Sequence, residues 1–258
     1  MPRIEKIDYS KEVSVKTSTQ TVRERFTPDQ VRNIIESVRM SVESLSPLCR
    51  FDPDEFVREI KVKFITGDYL TGKDEIGEAS LLYINGDLAR YHYNWNLFYV
   101  FDDHSQDLCD VYDAFFTDDD EWIDEVQYYE IFSYNTLYFD YLYLKPEYRG
   151  YGIGRILAMG LIEEFAKEPE IVIAWPVPVE LQEDEGRQVV SQVKGETVHP
   201  KLVALCESLG FIRLKETNML FLPTTDPYPS VSDILKKMFP EQKKRPKAMR
   251  RASGPSSQ

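Results

Sequence analysis

The chain has 258 residues, 42% of them hydrophobic and 13% aromatic, which is enough to build a sizeable packed core and rules out wholesale disorder. No run of about 18 apolar residues exists, and the opening MPRIEKIDYSKEVSVK lacks the apolar stretch of a signal peptide, so no membrane span and a cytoplasmic location are expected. Three scattered cysteines, Cys49, Cys109 and Cys206, form neither a disulfide framework nor a zinc motif, and the net charge of -13 is uneven: Lys236–Arg251 carries +7, leaving -20 on the rest. A body this acidic repels phosphate backbones, which leaves the basic segment as the one route to nucleic acid, and it attracts cations.

In chain order, Glu12–Thr17 reads as a possible strand. A helix opens at Thr27 with Pro28 in its first turn, and Val31, Ile34, Ile35, Val38, Val42 and Leu45 keep helical spacing until Ser46-Pro47. A second short helix is expected from Asp52-Pro53 through Phe56, Val57 and Ile60. Gly77–Asn85 reads as a strand closed by the Asn85-Gly86 turn signal.

Between Arg90 and Lys145 no lysine or arginine occurs, while thirteen acids and eighteen aromatic residues do. A helix over Ser105–Phe116 with Leu108, Val111, Tyr112 and Phe115 on one face fits this window. The acids are either a solvated helix surface or an acidic, aromatic-lined mouth for an amine, with Asp102, Asp103 and Asp107 as the candidate substrate contacts.

Asn135–Leu144 is apolar or aromatic on both faces, as a doubly buried strand should be. A helix over Gly152–Lys167 follows, then a strand over Ile171–Val179 and a polar excursion with some helix over 180–198. Pro200–Leu209 reads as a helix ended by Gly210, Phe211–Leu214 and Asn218–Leu222 as short strands, and Val231–Phe239 as a last helix before the basic segment. This alternation is α/β in character.

The strongest local signal joins the strand to the helix: Arg149-Gly150-Tyr151-Gly152-Ile153-Gly154-Arg155. Alternate glycines let a backbone curl so that successive N–H groups converge at a helix N-terminus, where a pyrophosphate is favoured, and the two arginines add charge. Arg155-Ile156 after Gly154 breaks a Walker A loop, and Arg155 and Leu157 break both registers of a Rossmann turn. The pattern instead resembles the (Gln/Arg)-x-x-Gly-x-(Gly/Ala) turn of the GNAT superfamily of N-acetyltransferases. The resemblance runs from the strand Tyr138–Leu144 to Leu205-Cys206-Glu207-Ser208-Leu209-Gly210-Phe211, similar to the family's helix-to-strand junction. Asp102-Asp103-His104-Ser105-Gln106 and Pro176-Val177-Pro178 are similar to elements of one little-characterised GNAT subgroup.

The resemblance implies a mixed central sheet with flanking helices and a splayed central strand pair. It implies one domain over residues 1–225 with an insertion at about 91–134, followed over 226–258 by a short helix and a basic, disordered segment. It also implies acetyl-CoA as co-substrate, no metal, and a small-molecule or peptide amine as acceptor. Backbone groups of Leu142, Tyr143 and Leu144 would pair with the pantetheine arm, and Arg149 to Arg155 would hold the pyrophosphate. Direct transfer to an amine needs a base, and Asp140, the one acid in the buried strand, is either that base or a structural aspartate. The family's usual acid, a tyrosine, is Cys206 here, more naturally an inert buried thiol, and its upstream asparagine is His199, either a cofactor ligand or a helix-start residue. That departure keeps a non-catalytic acyl-CoA-binding or regulatory module in play, alongside an interaction protein working through its basic segment.

Overall fold

The computed structural model describes residues 25–45, 53–67, 74–184, 187–192 and 199–240. The expected strand Glu12–Thr17 and the basic segment beyond residue 240 lie outside them. Helix α1 (Pro28–Ser37) starts with a capping box in which Thr27 and Gln30 exchange hydrogen bonds. It stops earlier than its helical spacing predicts. Val38 turns extended (φ -62°, ψ 134°), and Arg39–Leu45 becomes strand β1 rather than the helix's second half. The second expected helix shrinks to one 3-10 turn, Pro53–Phe56, and Val57 and Ile60 belong to strand β2 (Val57–Thr66). Both corrections have one cause. Val42 and Val62 face each other across an antiparallel ladder, and that long-range pairing overrides local helix spacing.

Strand β3 (Asp74–Asn85) pairs with β2, and beyond it come α2 (Leu97–Asp102), α3 (Gln106–Phe115) and the single turn α4 (Asp124–Gln127). Ser105 caps α3, whose buried face is Leu108, Val111, Tyr112 and Phe115, as expected. Strand β4 (Asn135–Leu144) has the expected ends, and α5 (Ile153–Phe165) follows the glycine turn. Strand β5 is shorter than expected (Ile171–Ala174), and the excursion after it is a hairpin, β6 (Val179–Asp184) with β7 (Arg187–Gln192), instead of partly helical. Helix α6 (Pro200–Ser208), strands β8 (Ile212–Arg213) and β9 (Leu220–Pro223), and α7 (Val231–Met238) complete the described order.

Seven strands form one mixed sheet in the order β1-β2-β3-β4-β5-β9-β8, antiparallel except for the parallel pair β4–β5. One face packs on α1, α5 and α7 through Val31, Leu161 and Ile234; the other packs on α2, α3 and α4 through Phe101, Phe115 and Val126. This is the expected α/β sheet flanked by helices. The register of β3 against β4 slips between Ser80/Tyr141 and Leu81/Phe139, so Asp140 is the extra residue of a β-bulge. Upstream of it Leu137 and Phe139 face the α5 side; downstream Leu142 and Leu144 do.

Candidate active site

The parallel ladder between β4 and β5 ends at Phe139↔Ala174, while β4 runs on to Leu144. Past that point the two strands part, and the β5-facing edge of residues 140–144 has no β5 partner. The glycine turn lies directly beyond. Gly150 and Gly152 sit at φ +85° and +79°, a left-handed region that only glycine enters cheaply, and Gly152 is the residue before α5. Backbone N–H groups of residues 150–155 have no backbone acceptor outside helices and strands among the described residues, as a helix start leaves them.

Neighbours hold this turn in place. Arg149 Nε donates to Leu144 O at 2.6 Å and its guanidinium lies 5.2 Å from the Tyr143 ring centre; Arg155 Nη2 donates to Ser208 O at 2.7 Å. Tyr151 Oη accepts from Phe26 N at 3.1 Å, and a Cβ on Gly152 would come within 2.8 Å of Met238 Cε from α7. The turn is therefore clamped from α1, α6 and α7.

On the α3 side of the sheet, the bulge presents Asp140 to Ser80, Asp107 and Glu59. Burial is the main cause that raises the Asp140 pKa above the usual carboxylate range; Ser80 opposes it, Asp107 and Glu59 add to it, and His104 lowers it. Asp107 is itself raised, by burial and then by Asp110. Tyr141 Oη donates to Glu78 Oε1 at 3.4 Å, and Tyr138, buried beside Asp107 and Asp140, has its phenol held protonated by burial. Two polar atoms in this neighbourhood are buried and have no hydrogen-bond partner of good geometry among the described residues: Ser80 Oγ and Trp175 Nε1.

A mixed sheet whose parallel pair opens at a buried carboxyl, with a glycine turn feeding a helix at its end, is what a family model recovers from the sequence: residues 83–181 match the acetyltransferase (GNAT) family. That stretch of the chain is similar to the GNAT family. No curated protein and no solved structure matches it. GNAT proteins are acetyltransferases that take their acyl group from acyl-CoA.

Within this GNAT frame the residues expected from sequence fall into groups. Leu142, Tyr143, Leu144 and the turn from Arg149 to Arg155 lie together along the parted strand and its exit. Asp107 joins Asp140, whereas Asp102 and Asp103 end α2 as exposed residues, Asp102 beside the Cys109 thiol. Not every acid of the window lines a mouth. Asp120 is buried and accepts from Leu97 N at 3.2 Å and Tyr112 Oη at 2.7 Å, and Glu121 pairs with Arg90 at 2.6 Å, so both serve structure. Burial pushes the Cys206 thiol up to about 12, so it stays protonated and inert, and His199 caps α6, its Nδ1 accepting from Lys201 N at 3.2 Å. Among the described residues no three His, Cys, Asp or Glu side chains are grouped to hold a metal, and no helix is long and apolar enough to cross a membrane. Sequence reading missed Glu59, Glu78, Ser80 and Trp175. Only the pairing of β2, β3 and the bulged half of β4 brings Glu59 and Ser80 to Asp140 and Glu78 to Tyr141, although the polar alternation of Glu78 and Ser80 in an otherwise apolar strand was a visible sign.

Proposed function

We propose that this protein transfers an acyl group, acetyl in the first instance, from acyl-CoA to the nitrogen of a cationic amine by direct attack. The observation that carries the reading is the parting of β4 from β5 at Asp140, which sets unpaired strand backbone and a buried carboxyl at one point. The residues fit the co-substrate: the β5-facing backbone of Leu142 has no ladder partner and can bond an extended arm, Leu144 O being taken by Arg149 Nε, and the left-handed Gly150 and Gly152 turn first-turn N–H groups toward a phosphate. When bound, acyl-CoA supplies a thioester carbonyl activated toward amines.

The chain's own residues do the rest. An ammonium group is drawn to the acidic side of the bulge by Asp107, Glu59 and Glu78. It must lose a proton before its lone pair can attack, and Asp140, its pKa raised by burial, is suited to accept that proton. Cys206 is a poor donor to the leaving thiolate, because burial raises its pKa to about 12, well above that of an ordinary thiol. The test is thiol release from acetyl-CoA with a panel of amines, read beside CoA affinity by calorimetry. Thiol release that depends on amine supports transfer. Tight CoA binding without turnover on any amine would leave the chain a binding module instead.

A further inference from the structure

Trp175 lies one residue past the last β4–β5 pair. Its indole packs with the cluster on the α3 side of the sheet, the side that Tyr138 faces, and Tyr138 pairs with Ile173, two residues before it. On the other flank of the bulge, Ser80 pairs with Tyr141. Trp175 and Ser80 thus flank the point where the sheet opens at Asp140.

Trp175 Nε1 is buried and unpartnered among the described residues, while Ser80 Oγ, which has no partner of good geometry, stands beside the Asp140 carboxyl that it stabilises. A buried donor left without an acceptor is costly and uncommon in folded proteins, so the indole N–H calls for a partner beside that carboxyl. The indole N–H can only donate. An ammonium group cannot satisfy it; an oxygen can. An acceptor amine held at Asp140 and Asp107 would bring such an oxygen to Trp175 only if it lay close to the nitrogen, within about one strand spacing.

We infer that Trp175, with Ser80, forms an oxygen-recognising subsite beside Asp140, so that the preferred acceptor is an amine bearing a hydroxyl or carbonyl oxygen one or two carbons from its nitrogen. Amino alcohols, amino sugars and the N-terminal residue of a peptide share this chemistry; simple alkylamines and polyamines lack it. The inference rests on the acyl-transfer reading above and narrows its acceptor.

The experiment compares matched amines with the full chain and acetyl-CoA: ethanolamine against ethylamine, glucosamine against cyclohexylamine, and glycinamide against propylamine, each rate expressed per free base. The oxygen-bearing member of each pair should have kcat/KM higher by tenfold or more. Trp175→Phe keeps the ring and removes the donor, and should collapse that ratio at least fivefold, mainly through KM. Ser80→Ala supplies a second, smaller variant in case the first folds poorly, and should lower the same ratio. Glucosamine and glycinamide tell sugar from peptide acceptors. Equal rates within the pairs, or a ratio that survives both substitutions, would overturn the subsite. Absence of thiol release with every amine would instead remove the acyl-transfer reading on which it stands.

Discussion

Gly154→Ala separates folding from binding, because a methyl at this position should raise stability while leaving CoA affinity in place. Gly154 sits in the first turn of α5, is not among the glycines with positive φ, and a Cβ there would have no neighbour within 4 Å. Replacing a helical glycine by alanine in open space should stabilise the protein by about 0.5–1 kcal/mol. For a chain of this size that is a rise in Tm of ~1–4 °C. The same methyl removes no N–H, and the Gly/Ala pattern that the turn resembles admits alanine at this position, so CoA affinity should hold within about threefold. Arg149→Ala is the binding counterpart: losing one charge-assisted bond of ~1.5–3 kcal/mol weakens CoA binding by roughly 10- to 150-fold. Calorimetric titration with CoA and a thermal melt on the same samples check both effects. Gly152→Ala serves as the contrast: at φ +79° alanine is strained by about 1–2 kcal/mol, and its Cβ meets Met238, so stability itself should fall. An Arg149→Ala protein that stays folded and binds CoA with unchanged affinity would refute the phosphate-cradle reasoning.

Asp140→Asn should lower kcat by roughly 10²–10⁴ while CoA affinity holds, and should abolish the acidic limb of the kcat/KM profile, where activity falls as pH drops through the raised Asp140 pKa. The same raised pKa means that the folded state holds this proton more tightly than the unfolded chain. Its stabilising effect is present below the ordinary carboxylate pKa and lost as pH rises through the folded value, so urea titrations across that window should show a shallower decline in the Asn variant. Asp107→Asn removes a charge that raises Asp140 and should move the acidic limb to lower pH; it should also blunt the fall of kcat/KM with salt that the shrinking Debye length, ~30 Å at 0.01 M to ~8 Å at 0.15 M, imposes on a cationic acceptor. Cys206→Ser should change kcat by less than about threefold, since a thiol held at about 12 is no acid at neutral pH, and a larger loss in steady-state assays would return it to the chemistry.

The parts of the fold legible from sequence are those whose burial pattern is complete. Strand β4 is covered on both faces and its ends read true; α3 buries one clear stripe, and α5 is apolar and buried on nearly every side. The misreadings cluster where burial is one-sided. Strand β1 is an edge strand with Met40 39% and Val42 49% exposed, so its apolar residues carry no clean two-residue period, and Val38, Val42 and Leu45 mimic a helix. In β2, Arg58-Glu59 interrupts the alternation that Ile60, Val62 and Phe64 then establish. At the site, the turn and Asp140 were legible because glycines and a lone buried acid stand out against their surroundings. Glu59, Ser80 and Trp175 were not, since each looks ordinary until the register of three strands brings it to the bulge.

That bulge also decides which changes the central strand can survive. Because Asp140 adds one residue to β4, the odd-numbered Leu137 and Phe139 and the even-numbered Leu142 and Leu144 all reach the same core. Substitutions along the strand alter single contacts, but a one-residue deletion or insertion between Phe139 and Leu142 would exchange the two faces of everything downstream, driving Leu142 and Leu144 toward the acidic side and Tyr141 and Tyr143 into the α5 core. In this segment, length is therefore under tighter constraint than identity, and a library of single-codon deletions should find a sharp gap there that a library of point substitutions does not.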